Sequence, residues 1–150
     1  MLQKITPNLW FDHNAKEAVE FYVSVFPNSK IITTSYYPKE GLLDFQKDLA
    51  GEVLTIDFEL GDNRFTAINA GSDFKFNESI SFSIACEDQD EIDYYWSKLS
   101  HVPEAEQCGW CKDKYGLSWQ VVPKNIEALM KGKNAFTNMM QMKKLVIADF

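Results

Sequence analysis

The chain has 150 residues, 45% hydrophobic and 14% aromatic, with a formal net charge of −7. It is long enough to bury a sizeable core, and an acidic chain without a basic stripe excludes nucleic acid as a partner. No apolar run approaches the roughly 20 residues of a membrane span and nothing at the start reads as a signal peptide, so a cytoplasmic protein away from membranes is expected. The cysteines, Cys86, Cys108 and Cys111, are too few and too uneven in spacing for a disulfide framework.

Residues 5–12, ITPNLWFD, alternate as a strand, with Leu9 and Phe11 on one side and Asn8 and Trp10 on the other. Pro7 suits its beginning or a sheet edge. Asp12 or Asn14 is placed to cap a helix through Phe26, where Ala15, Ala18, Val19, Tyr22 and Val25 recur at helical spacing. Pro27 and Asn28 stop it. Residues 30–37, β-branched and aromatic, predict a second strand. Residues 38–51 predict a long loop with a short helical turn near 42–49.

In residues 52–60 the alternation predicts a buried row of Leu54, Ile56, Phe58 and Leu60, opposed by Val53, Thr55, Asp57 and Glu59. A turn at Gly61, Asp62 and Asn63 returns the chain into a strand over 64–70. The linker 71–77 carries Phe74 and Phe76, apolar for a loop.

From Ser79 the programme repeats: an alternating strand, a helix capped by Asp88 running to Leu99, a loop with Pro103, and a hairpin over 107–123, QCGWCKDKYGLSWQVVP, turning at 112–116. There Trp119 and Val121 alternate with Ser118 and Gln120. EFYVS, from Glu20, is answered by DYYWS, from Asp93. Two strand–helix–strand–strand–strand modules, about 3–71 and 78–123, are each too small to bury their own sheet face. The predicted fold class is therefore α+β: one domain over 1–150, two βαβββ modules forming a curved mixed sheet around a cavity. A helical tail covers 124–150, with helices near 125–131 and 135–142, and the protein is expected to be a homodimer.

These paired modules, the opening ITPNLWFD followed by AVEFYVSVFPNSKI, and the hairpin CGWCKDKYGLSWQVVP resemble the PhnB-like branch of the vicinal oxygen chelate superfamily. That superfamily includes glyoxalase I, extradiol dioxygenases and bleomycin-resistance proteins, and this branch often carries the name 3-demethylubiquinone-9 3-methyltransferase. The resemblance implies a pocket on the concave sheet face, where metal-using members place His and Glu ligands. The matching positions here are near 6–8, Asn69, Ser81 and Gln120, all amides or hydroxyls, which hold a first-row ion poorly. A divalent metal is therefore disfavoured, and no cofactor is predicted. No glycine-rich strand-to-helix loop is present to cradle a nucleotide-like cofactor either.

The expected ligand-binding residues are Asn8, Trp10, Phe65, Asn69, Ser81, Trp110 and Gln120, a mixture of amides, a hydroxyl and aromatic rings suited to a flat or apolar small molecule. Asp57 is a candidate general base, weighed against a role in bonding neighbouring strands. His13 and His101 read as solvated turn residues. Cys108 and Cys111 form a CxxC without a helix or second pair, so they read as structural. The resulting function is metal-independent binding of an unknown small molecule, in the manner of the bleomycin-resistance proteins. The alternatives are a metal-dependent lyase, isomerase or dioxygenase that recruits its ion through Asp57, Asn69 and Gln120, and the methyltransferase of the inherited name.

Overall fold

The computed structural model describes residues 3–150. They divide into two compact units with the boundary between Lys75 and Phe76. The class is α+β, with one mixed sheet in each unit.

The first unit runs β1 (Asn8–Asp12), α1 (Ala15–Val25), β2 (Lys30–Tyr36), β3 (Val53–Leu60) and β4 (Asn63–Ala70). The sheet order is β1-β4-β3-β2, with β1 parallel to β4 and the other neighbours antiparallel. β1 starts only after Pro7, whose carbonyl still accepts the Thr66 N–H but which has no donor of its own. The core lies between α1 and one sheet face. Ala15, Ala18, Val19 and Tyr22 are buried on the helix, Ile56, Phe58, Phe65 and Ala67 on the strands. Phe58 and Phe65 stack at 5.5 Å between ring centroids. Phe65 is thus a core residue, a correction to its expected place in a binding site. Its row alternates with Thr66 and Ile68, and that row faces away from the helix.

The cap of α1 also differs from expectation. Neither Asp12 nor Asn14 supplies it; the Ala15 N–H donates to Oδ1 of Asn69, 3.1 Å away on β4. The other end of that amide donates to the Val53 carbonyl at 2.9 Å. Asn69 is buried and both ends of its amide are engaged in holding helix to sheet. Those two bonds give its side chain a structural task in place of the ligand-binding one expected of it.

The second unit contains β5 (Ser81–Cys86), α2 (Gln89–Leu99), β6 (Trp110–Lys112) and β7 (Ser118–Pro123), then α3 (Ile126–Leu129) and α4 (Ala135–Met140). Asp88 caps α2 as expected, its Oδ1 accepting the Glu91 N–H at 2.9 Å. Among the described residues this sheet has three strands, β5-β7-β6, one fewer than the repeat predicts. The reason is local. Pro103 puts a 3-10 turn, Pro103–Ala105, into the stretch that should have been a strand. Cys108 and Gly109, with φ of 45° and 86°, then form a two-residue turn closed by reciprocal hydrogen bonds between Gln107 and Trp110. The CxxC is accordingly split between a turn and a core. Cys111 is 1% exposed, and burial pushes its thiol up to about 12.

Asp113 fixes the next turn. It is buried, and its carboxylate accepts from the Tyr115 and Leu117 N–H groups and from Nε1 of Trp119. The tail belongs to this unit. The N–H groups of Cys108 and Gly109 donate to the Met142 and Lys143 carbonyls, and Leu145 is fully buried.

Candidate functional site

Because β1 and β4 are parallel, both finish at the same end of the first sheet, at Asp12 and Ala70. Chain leaving that end turns into α1 on one strand and into Gly71 to Asp73 on the other. The return from β2, with a 3-10 helix over Asp44–Leu49, crosses the same end. Together they enclose a cavity of about 710 Å³. Its apolar wall includes Trp10, Tyr37, Phe45, Leu54 and Ile68, and its polar border includes His13, Gln46, Asp48, Ser72 and Asp73.

The wall is held rigidly. Nε1 of Trp10 donates to the Gly71 carbonyl at 2.9 Å, and Phe74 meets the indole edge-on at 4.8 Å. That contact accounts for an apolar residue in the linker. The Tyr37 hydroxyl donates to the Asn69 carbonyl at 2.7 Å. Burial first, and the Asp48 charge second, raise the Tyr37 phenol above its ordinary value.

His13 sits where the strand gives way to the helix, in a left-handed conformation with φ of 63°. Its backbone N–H donates to the Ala70 carbonyl. Its Nδ1 lies 2.6 Å from Oδ1 of Asp12 and its Nε2 lies 2.7 Å from Oδ2 of Asp48. A neutral imidazole has one N–H, so only the imidazolium donates to both carboxylates at once. Those hydrogen bonds, Asp12 first and Asp48 second, raise the His13 pKa against the opposing effect of partial burial. His13 therefore clasps the 3-10 helix to the end of β1, a role beyond that of a solvated turn residue.

Of the residues expected to bind ligand, Trp10 lines the cavity. Asn8 shares its strand face but is exposed, and its Nδ2 donates to the Thr6 carbonyl. Phe65 and Asn69 point into the helix side, as described. Asp57 accepts from Oγ1 of Thr66 at 2.7 Å and from Arg64 at 3.3 Å, which makes it a cross-strand anchor away from the cavity. In the second unit, Gln120 pairs with Trp110 across the ladder and donates to Oγ of Ser81 at 2.9 Å. These three form a patch on the sheet face opposite Trp119 and Val121. His13, Tyr37, Phe45 and Asp48 were not expected at the site. The one sequence signal for them was an acidic residue directly before a histidine at a strand end.

A divalent ion does not fit the positions where the chelating fold would place it. The Asn69 amide is spent on Ala15 and Val53, and Gln120 and Ser81 are neutral groups bonded to each other. Asp57 pairs with Thr66, whose side lies opposite Asn69, so those two side chains leave opposite faces of the sheet. Among the described residues, no group of three or more His, Cys, Asp or Glu side chains is placed to hold a metal.

The family model described as 3-demethylubiquinone-9 3-methyltransferase matches residues 3–122. Among solved structures, a putative 3-demethylubiquinone-9 3-methyltransferase, the PhnB protein from Bacillus cereus, is 33% identical with a TM-score of 0.64, covering 80% of this chain and 99% of its own. Protein PA1353 from Pseudomonas aeruginosa, at 16% identity and a TM-score of 0.62, covers 82% and 98%. The fosfomycin resistance protein FosX from Mesorhizobium loti, at 12% identity and 0.50, covers 81% and 91%; these last two show the shared fold alone. No curated protein matches the sequence. The chain belongs to the 3-demethylubiquinone-9 3-methyltransferase family, the PhnB-like branch of the vicinal oxygen chelate superfamily.

Proposed function

We propose that the protein binds a small molecule without a metal, and that the cavity of the first unit is the site. The observation that carries this is the cavity itself: about 710 Å³, within the range of small-molecule sites, with aromatic rings in its wall and polar side chains along its border. The donor chemistry of Asn69, Ser81 and Gln120 supports metal independence. Nothing in the residues favours the methyl transfer of the family name. The strand-to-helix turns, Asp12 to Asn14 and Glu87 to Asp88, contain no glycine to admit a nucleotide-like cofactor. A homodimer belongs to the same reading, supported by Ile31 and Tyr36, 40% and 62% exposed on β2 at its sheet edge.

The test is native mass spectrometry with metal analysis on protein purified without an affinity tag, comparing the wild type with Trp10→Ala. The expected result is a co-purifying organic mass that the wild type holds and the folded variant loses, with no stoichiometric metal. Stoichiometric zinc, nickel or iron overturns metal independence. An organic mass retained equally by Trp10→Ala overturns the site.

A further inference from the structure

We propose that this cavity selects an organic cation: a protonated amine or quaternary ammonium carried on a small apolar or aromatic body. The inference rests on the reading of the cavity as a binding site and adds the class of ligand. Its first support is the charge around the cavity. Asp48 and Asp73 border it and, among the described residues, no lysine or arginine does. Lys47, next to Asp48 on the 3-10 helix, is paired with Asp44 at 2.8 Å.

The second support is that the site already holds a cation of its own. The His13 ring lies between carboxyl oxygens at 2.6 and 2.7 Å, a geometry the imidazolium satisfies with both aspartates ionised. Counting Asp12, Asp48 and Asp73 against that single positive charge leaves the corner negative. Asp48 is a secondary cause of both raised values, after the Asp12 hydrogen bond for His13 and after burial for Tyr37.

The third support is the wall. Trp10, Tyr37 and Phe45 bring aromatic rings to a partly enclosed volume, and aromatic faces attract a cation more strongly as water is excluded. An anion entering the cavity would lose hydration and meet the Asp48 and Asp73 carboxylates, with the neutral donors of Gln46 and Ser72 and with His13, which already serves two carboxylates, as its only positive group. A neutral molecule would gain burial and no charge interaction.

The experiment uses three probes that share a phenyl body and differ in the head group: 2-phenylethylammonium, 2-phenylethanol and phenylacetate. Affinities are measured by calorimetry for wild type, Asp48→Asn and Asp73→Asn. The ammonium is expected to bind about tenfold tighter than the alcohol, with the carboxylate weakest. Asp73→Asn, on an exposed side chain that does not touch the His13 clasp, should cost the ammonium about threefold and leave the alcohol unchanged. Asp48→Asn should cost it more, and folding of that variant is checked by its circular dichroism. Binding of phenylacetate as tight as that of the ammonium overturns the inference. So does an ammonium preference that survives both substitutions. If the alcohol binds as well as the ammonium, the cavity reading stands and the charge inference falls. If none of the three binds, the cavity reading falls and the charge inference goes with it.

Discussion

The two units turn from strand to helix by the same plan and finish the corner differently. In the second, Asp88 caps α2 from its own turn, and the tail closes over the corner. Gln89 donates to the Leu145 carbonyl and accepts the Ile147 N–H, while Lys144 pairs with Asp93. In the first, the cap on α1 comes from Asn69 on another strand, and the 3-10 helix is clasped to the end of β1 by His13. One corner is filled by the chain's own side chains, whereas the other is left as a cavity. The difference teaches that the fold leaves a hollow at the strand ends, and that sequence outside the repeat decides whether it becomes core or site.

The largest effect should come from emptying the filled corner. Leu145 has no exposed surface and lies against Gly109, where an added Cβ would stand 3.1 Å from it. Leu145→Ala should destabilise the protein by about 3 kcal/mol, measured by urea unfolding. A loss below about 0.5 kcal/mol would mean the corner does not depend on the tail.

The two caps should then separate. Asn69→Ala strands a buried N–H and a half-buried carbonyl, and is expected to cost about 2 kcal/mol. Asp88→Ala removes a local, solvent-accessible cap and should cost about 1 kcal/mol. Equal losses would show that the borrowed cap carries no more than the local one.

The distance over which these contacts reach explains what could be read in the sequence. Asp88 caps a helix that begins at the next residue, so the letters reveal it. The hairpin turn at Asp113 to Gly116 was legible for the same reason, and so was the buried row of Ile56, Phe58 and Leu60, whereas Leu54, expected in that row, is half-buried and lines the cavity. Asn69 serves a helix 54 residues away, and on its strand it reads as one more polar residue. His13 and Asp48 are 35 residues apart, and only the path of the loop brings them together. Trp10 was legible as a residue off the helix-facing row, now seen to line the cavity, because it stands out of phase with Leu9 and Phe11. The place of Phe65 was not legible, since Phe58 was read as buried but the register that sets Phe65 opposite it was not fixed by the letters. The missing strand of the second unit follows from Pro103 and from two left-handed residues, of which only Gly109 announces itself.

The smallest effect concerns pH. The folded His13 pKa is raised above the ordinary 6.5, so the stability its clasp contributes is fully present below that value and is lost as pH rises through the folded one. His13 is about half exposed, so the change should be slight. His13→Gln should flatten that part of the stability profile measured between pH 5.5 and about 8.5. A profile that keeps its slope would assign the pH dependence to another group.

The central claim, that the open corner of the first unit is the ligand site, is tested most directly by a backbone and indole NMR titration with 2-phenylethylammonium. The account predicts shifts at the Trp10 indole N–H, at His13 and at Gly71, saturating together. Shifts confined to Ser81, Trp110 and Gln120 in the second unit would contradict it.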